Sequence, residues 1–180
     1  MSPEPLNRSP GIEPYSQGAH AMTLANISDA RDPVTGQHVV GHQRDAEWFE
    51  AIPGERLSLR VRSADVGGRY AIMESHAAPG TAAPLHTHRE DEIFYVLGGY
   101  PTFRLDDEIV ETAPGSLVVI PGGTPHAWKN RTDEEVHMLA IFSPGGVEEF
   151  FTKIAGLTPD RIAVLAADYG TFVLGPPIAD

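Results

Sequence analysis

Gly80-Thr-Ala-Ala-Pro-Leu-His86-Thr-His88-Arg-Glu-Asp-Glu92-Ile-Phe-Tyr-Val-Leu-Gly98-Gly99 is the stretch on which the fold turns. Side chains of an extended segment alternate with period two, so His86 and His88 point to the same side. Glu92 has the same parity and can face the same interior after a turn or a short irregular stretch. Two imidazoles and one carboxylate suit a divalent first-row ion and leave at least one protein position to fill. A later stretch offers it: Gly115-Ser-Leu-Val-Val-Ile-Pro121-Gly-Gly123-Thr-Pro-His126-Ala-Trp-Lys-Asn130. There a strand, a sharp Pro/Gly turn and a new strand deliver His126 toward the same cavity. The glycines allow tight bends, and Pro121 stiffens the corner while giving up one ladder donor.

Around these stretches, apolar runs of strand length recur: 57–61, 70–73, 93–97, 102–105, 109–112, 117–120 and 136–142. Turn signals separate them, among them Gly67-Gly68, Pro79-Gly80, Asp106-Asp107, Pro114-Gly115 and Thr132-Asp133. Many short strands at close, fairly even spacing predict an all-β sandwich or barrel. Two short helices should follow. Val147, Phe150, Phe151 and Ile154 lie at three- and four-residue spacing over 147–155, with Gly156 as the stop. Thr158-Pro159 reads as N-cap and first helical residue of a second helix running to about Ala167. Upstream, residues 1–20 are rich in Pro and Gly and poor in apolar side chains, which predicts a flexible leader. Residues 21–54 are expected to pack on the barrel as an N-terminal extension, with one helical turn over Asp45–Phe49. The barrel itself is placed at 55–145 and a C-terminal helical extension at 146–180.

Composition narrows the function. The chain has 180 residues, room for one compact domain with a tail. Its 13 Lys and Arg against 25 Asp and Glu give a formal charge of −12. Such a surface repels phosphate backbones and anionic headgroups, which argues against nucleic acid or membrane as the main partner. Cys is absent, excluding disulfides, thiolate metal sites and a Cys nucleophile. Any transition metal must therefore sit on imidazole and carboxylate, and there are 8 His to draw on. No run approaches the ~20 apolar residues of a membrane span. The N-terminus lacks the charged and apolar regions of a signal peptide, so a cytoplasmic location is expected.

The two quoted stretches resemble the paired signature of the cupin superfamily, G-x5-H-x-H-x3–4-E-x6-G and G-x5-P-x-G-x2-H-x3-N. Gly80, His86, His88, Glu92 and Gly99 satisfy the first; Gly115, Pro121, Gly123, His126 and Asn130 satisfy the second. The resemblance implies a double-stranded β-helix, the jelly-roll barrel, with a metal ion inside its mouth. It implies His86, His88, Glu92 and His126 as ligands of one divalent ion, whether Fe, Mn, Ni, Co, Cu or Zn. Within the superfamily the chain is most similar to the single-domain, quercetin 2,3-dioxygenase-like branch. The supporting runs are Glu90–Leu97, Pro121–Trp128 and Ser143–Phe151. Cupins commonly form dimers, so a homodimer is expected.

A divalent ion on three neutral imidazoles and one carboxylate carries a net charge of about +1 and attracts an enolate, phenolate or carboxylate. The favoured expectation is a dioxygenase taking a small enolic or phenolic substrate, flavonol-like or a diketone, together with dioxygen. By analogy with the family, Glu92 would act both as ligand and as the base taking the substrate's hydroxyl proton. The alternatives are a non-oxidative metal enzyme (cyclase, isomerase or decarboxylase) and a barrel that only binds a small molecule. Phe94, Val96 and Trp128 share parity with the ligands and are candidates to line a substrate pocket or to fill the core. On an earlier strand either Tyr70, Ile72 and Glu74 or Met73 and Ser75 face inward, which makes Tyr70 and Met73 pocket candidates too. His76 and His137 are expected to be structural or surface residues, and His20, His38 and His42 to lie in loops. Phe150, Phe151 and Ile154 are expected to cover the barrel or a subunit contact.

Overall fold

A computed structural model describes residues 38–180. The expected leader over 1–20 and the segment 21–37, His20 included, lie outside the described residues. In chain order the strands are β1 (Phe49–Glu50), β2 (Glu55–Val61), β3 (Ala71–Ala77), β4 (Leu85–Thr87), β5 (Asp91–Gly98), β6 (Pro101–Leu105), β7 (Glu108–Glu111), β8 (Leu117–Ile120), β9 (His126–Asn130) and β10 (Val136–Ser143). Two helices, α1 (Glu148–Phe151) and α2 (Pro159–Asp168), precede a last strand, β11 (Phe172–Gly175). One antiparallel sheet runs β1-β2-β3-β10-β5-β8 and the other β11-β4-β9-β6-β7. The fold is all-β, two facing sheets consistent with a jelly-roll barrel.

Inward alternation builds the core. On β5, Glu92, Phe94 and Val96 are buried while Asp91, Tyr95 and Leu97 are exposed. On β10, Val136, Met138, Ala140 and Phe142 are buried, and the register sets Ala140 against Phe94 and Met138 against Val96. The two sheets meet where the Phe94 and Phe103 rings pack 5.1 Å apart, tilted by 53°. Burying each such side chain contributes roughly 1.5–3 kcal/mol.

Several elements differ from their expected extent. The turn expected over Asp45–Phe49 is a single 3-10 turn at Gln43–Asp45. Phe49 instead extends and pairs with Leu57, which also places Ala51 in the core. The helix expected over 147–155 is one turn. Glu148 at its start is fully buried, and its carboxylate accepts the backbone N–H of Ser63 at 2.9 Å and of Gly146 at 2.6 Å. Burial opposes the charge, but these hydrogen bonds hold the Glu148 carboxyl below its ordinary range. The chain then leaves the helix, yet Ile154 stays buried. Thr158 does stand at the N-cap of α2 with Pro159 following, although its hydroxyl caps nothing. Strand β11 has no counterpart in the expected elements. It forms because Phe172 and Val173 find Thr87 and His86 as partners along β4.

Candidate metal centre and its cavity

The four candidate ligands come from both sheets. His86 lies on β4 and is the register partner of His126 on β9. His88 follows β4, and Glu92 lies on β5 in the facing sheet. The Pro121–Gly123 corner fixes their approach. The Gly123 N–H donates to the His88 carbonyl at 2.7 Å, and the Gly122 N–H donates to the Asp91 carboxylate at 2.8 Å. Only glycine fits at 122, where a Cβ would lie 2.2 Å from the Arg89 carbonyl oxygen. The second motif is thereby pressed onto the first. Asn130, the last residue of the second motif, is a clamp: its amide donates to the carbonyls of Ala77 at 3.0 Å and Glu134 at 2.7 Å.

Backbone carbonyls set the tautomers. Nδ1 of His86 lies 2.7 Å from the Pro84 carbonyl, that of His88 3.1 Å from Glu90, and that of His126 2.8 Å from Thr124. A carbonyl only accepts, so each Nδ1 carries the proton and each Nε2 is free to ligate. The ligand atoms of His86, His88, Glu92 and His126 all lie within 4.8 Å of one another. Nε2 of His88 and of His126 stand 3.2 Å and 3.0 Å from the same Glu92 oxygen. His126 Nε2 is buried and has no hydrogen-bond partner. Lone pairs facing a carboxylate repel unless a proton or a cation sits between them. With ligand bonds of about 2.1 Å, adjacent donors on one ion are about 3 Å apart, so the residues fit a divalent metal.

The charges point the same way. Burial alone would raise the Glu92 carboxyl, but contacts with His126 and His88 override it and bring it down to about 2. Burial also works against charge on His88, yet the Glu92 and Glu90 carboxylates raise it above its ordinary value. His86 is held down at about 4, first by burial and then by His126, against the pull of Glu92.

His86, His88 and Glu92 line a cavity of about 120 Å³ whose remaining walls are largely apolar. Of the sequence candidates, Phe94, Trp128 and Met73 line it. Val96 and Tyr70 do not. Val96 shares the inward face but is sealed in the core beyond the cavity, because parity fixes a side chain's face and says nothing of its depth. Tyr70 precedes β3, outside the cavity, with the Arg69 guanidinium 6.0 Å from its ring. On β3 the inward set is therefore Met73 and Ser75. Phe150, Phe151 and Ile154 cover the barrel and also line the cavity, as do Ile162 and Ala166 of α2. Sequence reasoning missed Glu55 and Thr171, which line it as well. Glu55 has the inward parity of Leu57, and that signal needed only a strand begun two residues earlier.

A second group, Glu74, His76 and His137, also brings potential ligand atoms together. Four of its polar atoms are already engaged. His137 Nε2 meets Glu74 at 2.7 Å, His76 Nδ1 meets Glu135 at 2.8 Å, and Arg60 lies 3.4 Å from the other Glu74 oxygen. The two imidazoles stack 4.1 Å apart at 15°, a poor arrangement for sharing an ion. His38 and His42 lie in irregular chain before and at the 3-10 turn.

Comparison with known proteins agrees with this architecture. The cupin domain family matches residues 73–142, which carry all four candidate ligands. An uncharacterised protein of Streptomyces coelicolor is 31% identical over 86 residues, covering 48% of this chain and 75% of that protein. The chain belongs to the cupin superfamily. This cupin is also similar to two named enzymes over shares of their length. It is 30% identical to 1-hydroxy-2-naphthoate 1,2-dioxygenase of Nocardioides sp. over 51% of this chain and 24% of that protein. It is 27% identical to the oxalate decarboxylase OxdC of Bacillus subtilis over 65% of this chain and 32% of that protein. Among solved structures, an RmlC-like cupin from Shewanella frigidimarina superposes with a TM-score of 0.56 at 16% identity, covering 63% of this chain and 96% of that one. Among the described residues no helix of this cupin is long and apolar enough to cross a membrane.

Proposed function

We propose that this cupin is a metal-dependent enzyme, a dioxygenase acting on a compact enolic or phenolic substrate. The convergence of three Nδ1-anchored imidazoles and Glu92 on one point in an apolar cavity carries the proposal. A divalent ion bound there would supply Lewis acidity and vacant coordination positions for oxygen donors. His86, His88 and His126 hold it as neutral donors, and Glu92 supplies the one anionic ligand. Glu92 sets one carboxylate oxygen against Nε2 of both His88 and His126, the position of a shared ligand. The apolar walls from Phe94, Trp128, Phe142 and Phe150 exclude water and pack against a flat carbon skeleton.

The apolar cavity of about 120 Å³ is close in scale to one of about 150 Å³ that takes benzene, which favours a compact substrate such as a single ring or a short diketone. The similarity to a naphthoate dioxygenase favours oxygen chemistry on a hydroxylated aromatic acid, whereas the similarity to oxalate decarboxylase favours a non-oxidative reaction. The chain loaded separately with iron(II), manganese(II) and nickel(II) is tested in an oxygen electrode with acetylacetone, salicylate and 1-hydroxy-2-naphthoate. Metal-dependent oxygen uptake with one of these supports the dioxygenase. Product formation without uptake transfers the assignment to the non-oxidative class.

A further inference from the structure

The metal centre leaves one ionisable group of its cavity unexplained. Glu55 opens β2, is 8% exposed, and lines the same cavity as His86, His88 and Glu92. It is not a fifth ligand, because its oxygens are outside the group of donor atoms that converge around Glu92. Nor does it answer a cation: among the described residues no Lys, Arg or His forms a salt bridge with it. Its carboxyl accepts one hydrogen bond, from the Ser75 hydroxyl at 2.8 Å.

A carboxyl buried in an apolar wall with one neutral partner is costly, and leucine or methionine would fill the same space without that cost. A carboxyl with a single neutral partner on an otherwise apolar cavity wall is a group that a ligand's own polar atom satisfies.

Resting on the function proposed above, we propose that Glu55, braced by Ser75, hydrogen-bonds a hydroxyl that the substrate carries away from its metal-chelating oxygens. The substrate class is then a compact enol or ortho-hydroxy aromatic acid bearing one further hydroxyl. A hydroxyl suits both forms of the carboxyl, donating to the carboxylate or accepting from the acid. Burial first, and the nearby charge of Glu92 in addition, push Glu55 up to about 7 against the lowering effect of Ser75, so both forms are accessible at neutral pH. A second anionic substituent is disfavoured there, since Glu55 and Glu92 face one cavity.

The test uses the full chain loaded with one equivalent of nickel(II) under nitrogen, titrated calorimetrically with salicylate, 2,4-dihydroxybenzoate and 2,5-dihydroxybenzoate. All three chelate through the same ortho pair, so the ratio of their affinities isolates the added hydroxyl. A hydrogen bond to a carboxyl is worth about tenfold in affinity. At least one dihydroxybenzoate should therefore bind about tenfold tighter than salicylate. Glu55→Met, which keeps the length and loses the hydrogen bond, should reduce that preference to less than twofold. Glu55→Asp, which keeps the acid but withdraws it by one methylene, should lower it at least threefold and serves if the Met variant does not fold. No preference in the unaltered protein, or a preference unchanged in either folded variant, overturns the role of Glu55. Failure of the unaltered protein to take up nickel or bind salicylate overturns the metal-centre reading and this inference with it.

Discussion

Replacing Gly122 by alanine tests whether the Pro121–Gly123 corner sets the ligand geometry. The added Cβ would sit 2.2 Å from the Arg89 carbonyl oxygen and 2.9 Å from its carbon. Since such contacts are not tolerated below 3.0 Å, the corner and the 88–91 segment must separate by at least 3.0 − 2.2 = 0.8 Å. That movement loosens two hydrogen bonds, Gly123 N–H to His88 O at 2.7 Å and Gly122 N–H to the Asp91 carboxylate at 2.8 Å. A neutral hydrogen bond contributes about 1 kcal/mol and one to a charged group about 1.5–3, so the destabilisation should be roughly 2.5–4 kcal/mol. The same shift carries His126 away from His88, and metal affinity should fall by about ten- to a hundredfold, the usual effect of disturbing the support of a ligand. Gly80→Ala is the control. Gly80 has φ +81° with open space around a Cβ, so the substitution should cost only the left-handed strain of about 1–2 kcal/mol. Urea unfolding of the metal-free proteins and competitive chelator titration of the loaded ones read both quantities. Equal stability and equal metal affinity in the two variants would refute the reasoning.

His86→Ala and His126→Ala should each abolish stoichiometric metal while the far-ultraviolet dichroism stays that of a β-barrel; elemental analysis after gel filtration decides it, and retained metal in both sinks the ligand assignment. Phe103→Ala, which empties a fully buried site against Phe94, should cost about 3–5 kcal/mol in denaturant unfolding yet leave the metal stoichiometry at one. Apparent metal affinity should fall as pH is lowered. His88 binds its proton more tightly than an ordinary histidine, so below that raised value the metal must displace a proton, and affinity should drop about tenfold per pH unit per proton released. Affinity that is flat from pH 8 to pH 5 would contradict it.

The sequence shows clearest what depends on local spacing. His86 and His88 at i and i+2 share a face in any extended chain, and a sharp corner before His126 needs the Pro121-Gly122-Gly123 run whatever surrounds it. The long alternating strands β5 and β10 declare themselves for the same reason. Elements that exist only through a partner are hidden. β1 is two residues long and β11 four, and each forms because β2 or β4 presents a free edge to it. Depth is hidden too: Val96 and Phe94 have one parity, but only Phe94 reaches the cavity. The roof from Phe150, Ile154 and Ile162 required knowing where the chain returns after β10, which no periodicity contains.

The candidate metal centre separates orientation from convergence. Each imidazole is oriented by a carbonyl two residues away, Pro84 for His86, Glu90 for His88 and Thr124 for His126, so orientation is a property of each strand end. Convergence is a property of the tertiary fold: the β4–β9 pairing, the glycine corner and the facing sheet that carries Glu92. Without a cation the assembled site sets two Nε2 atoms against one carboxylate oxygen at 3.0 Å and 3.2 Å, a contact that a proton on His88 relieves. Proton and metal would therefore compete for one point, and binding an ion would expel the proton. Glu55 cannot take part in that exchange. It has a serine where Glu92 has two imidazoles, and a carboxyl so placed in an apolar wall remains free to answer a neutral hydroxyl.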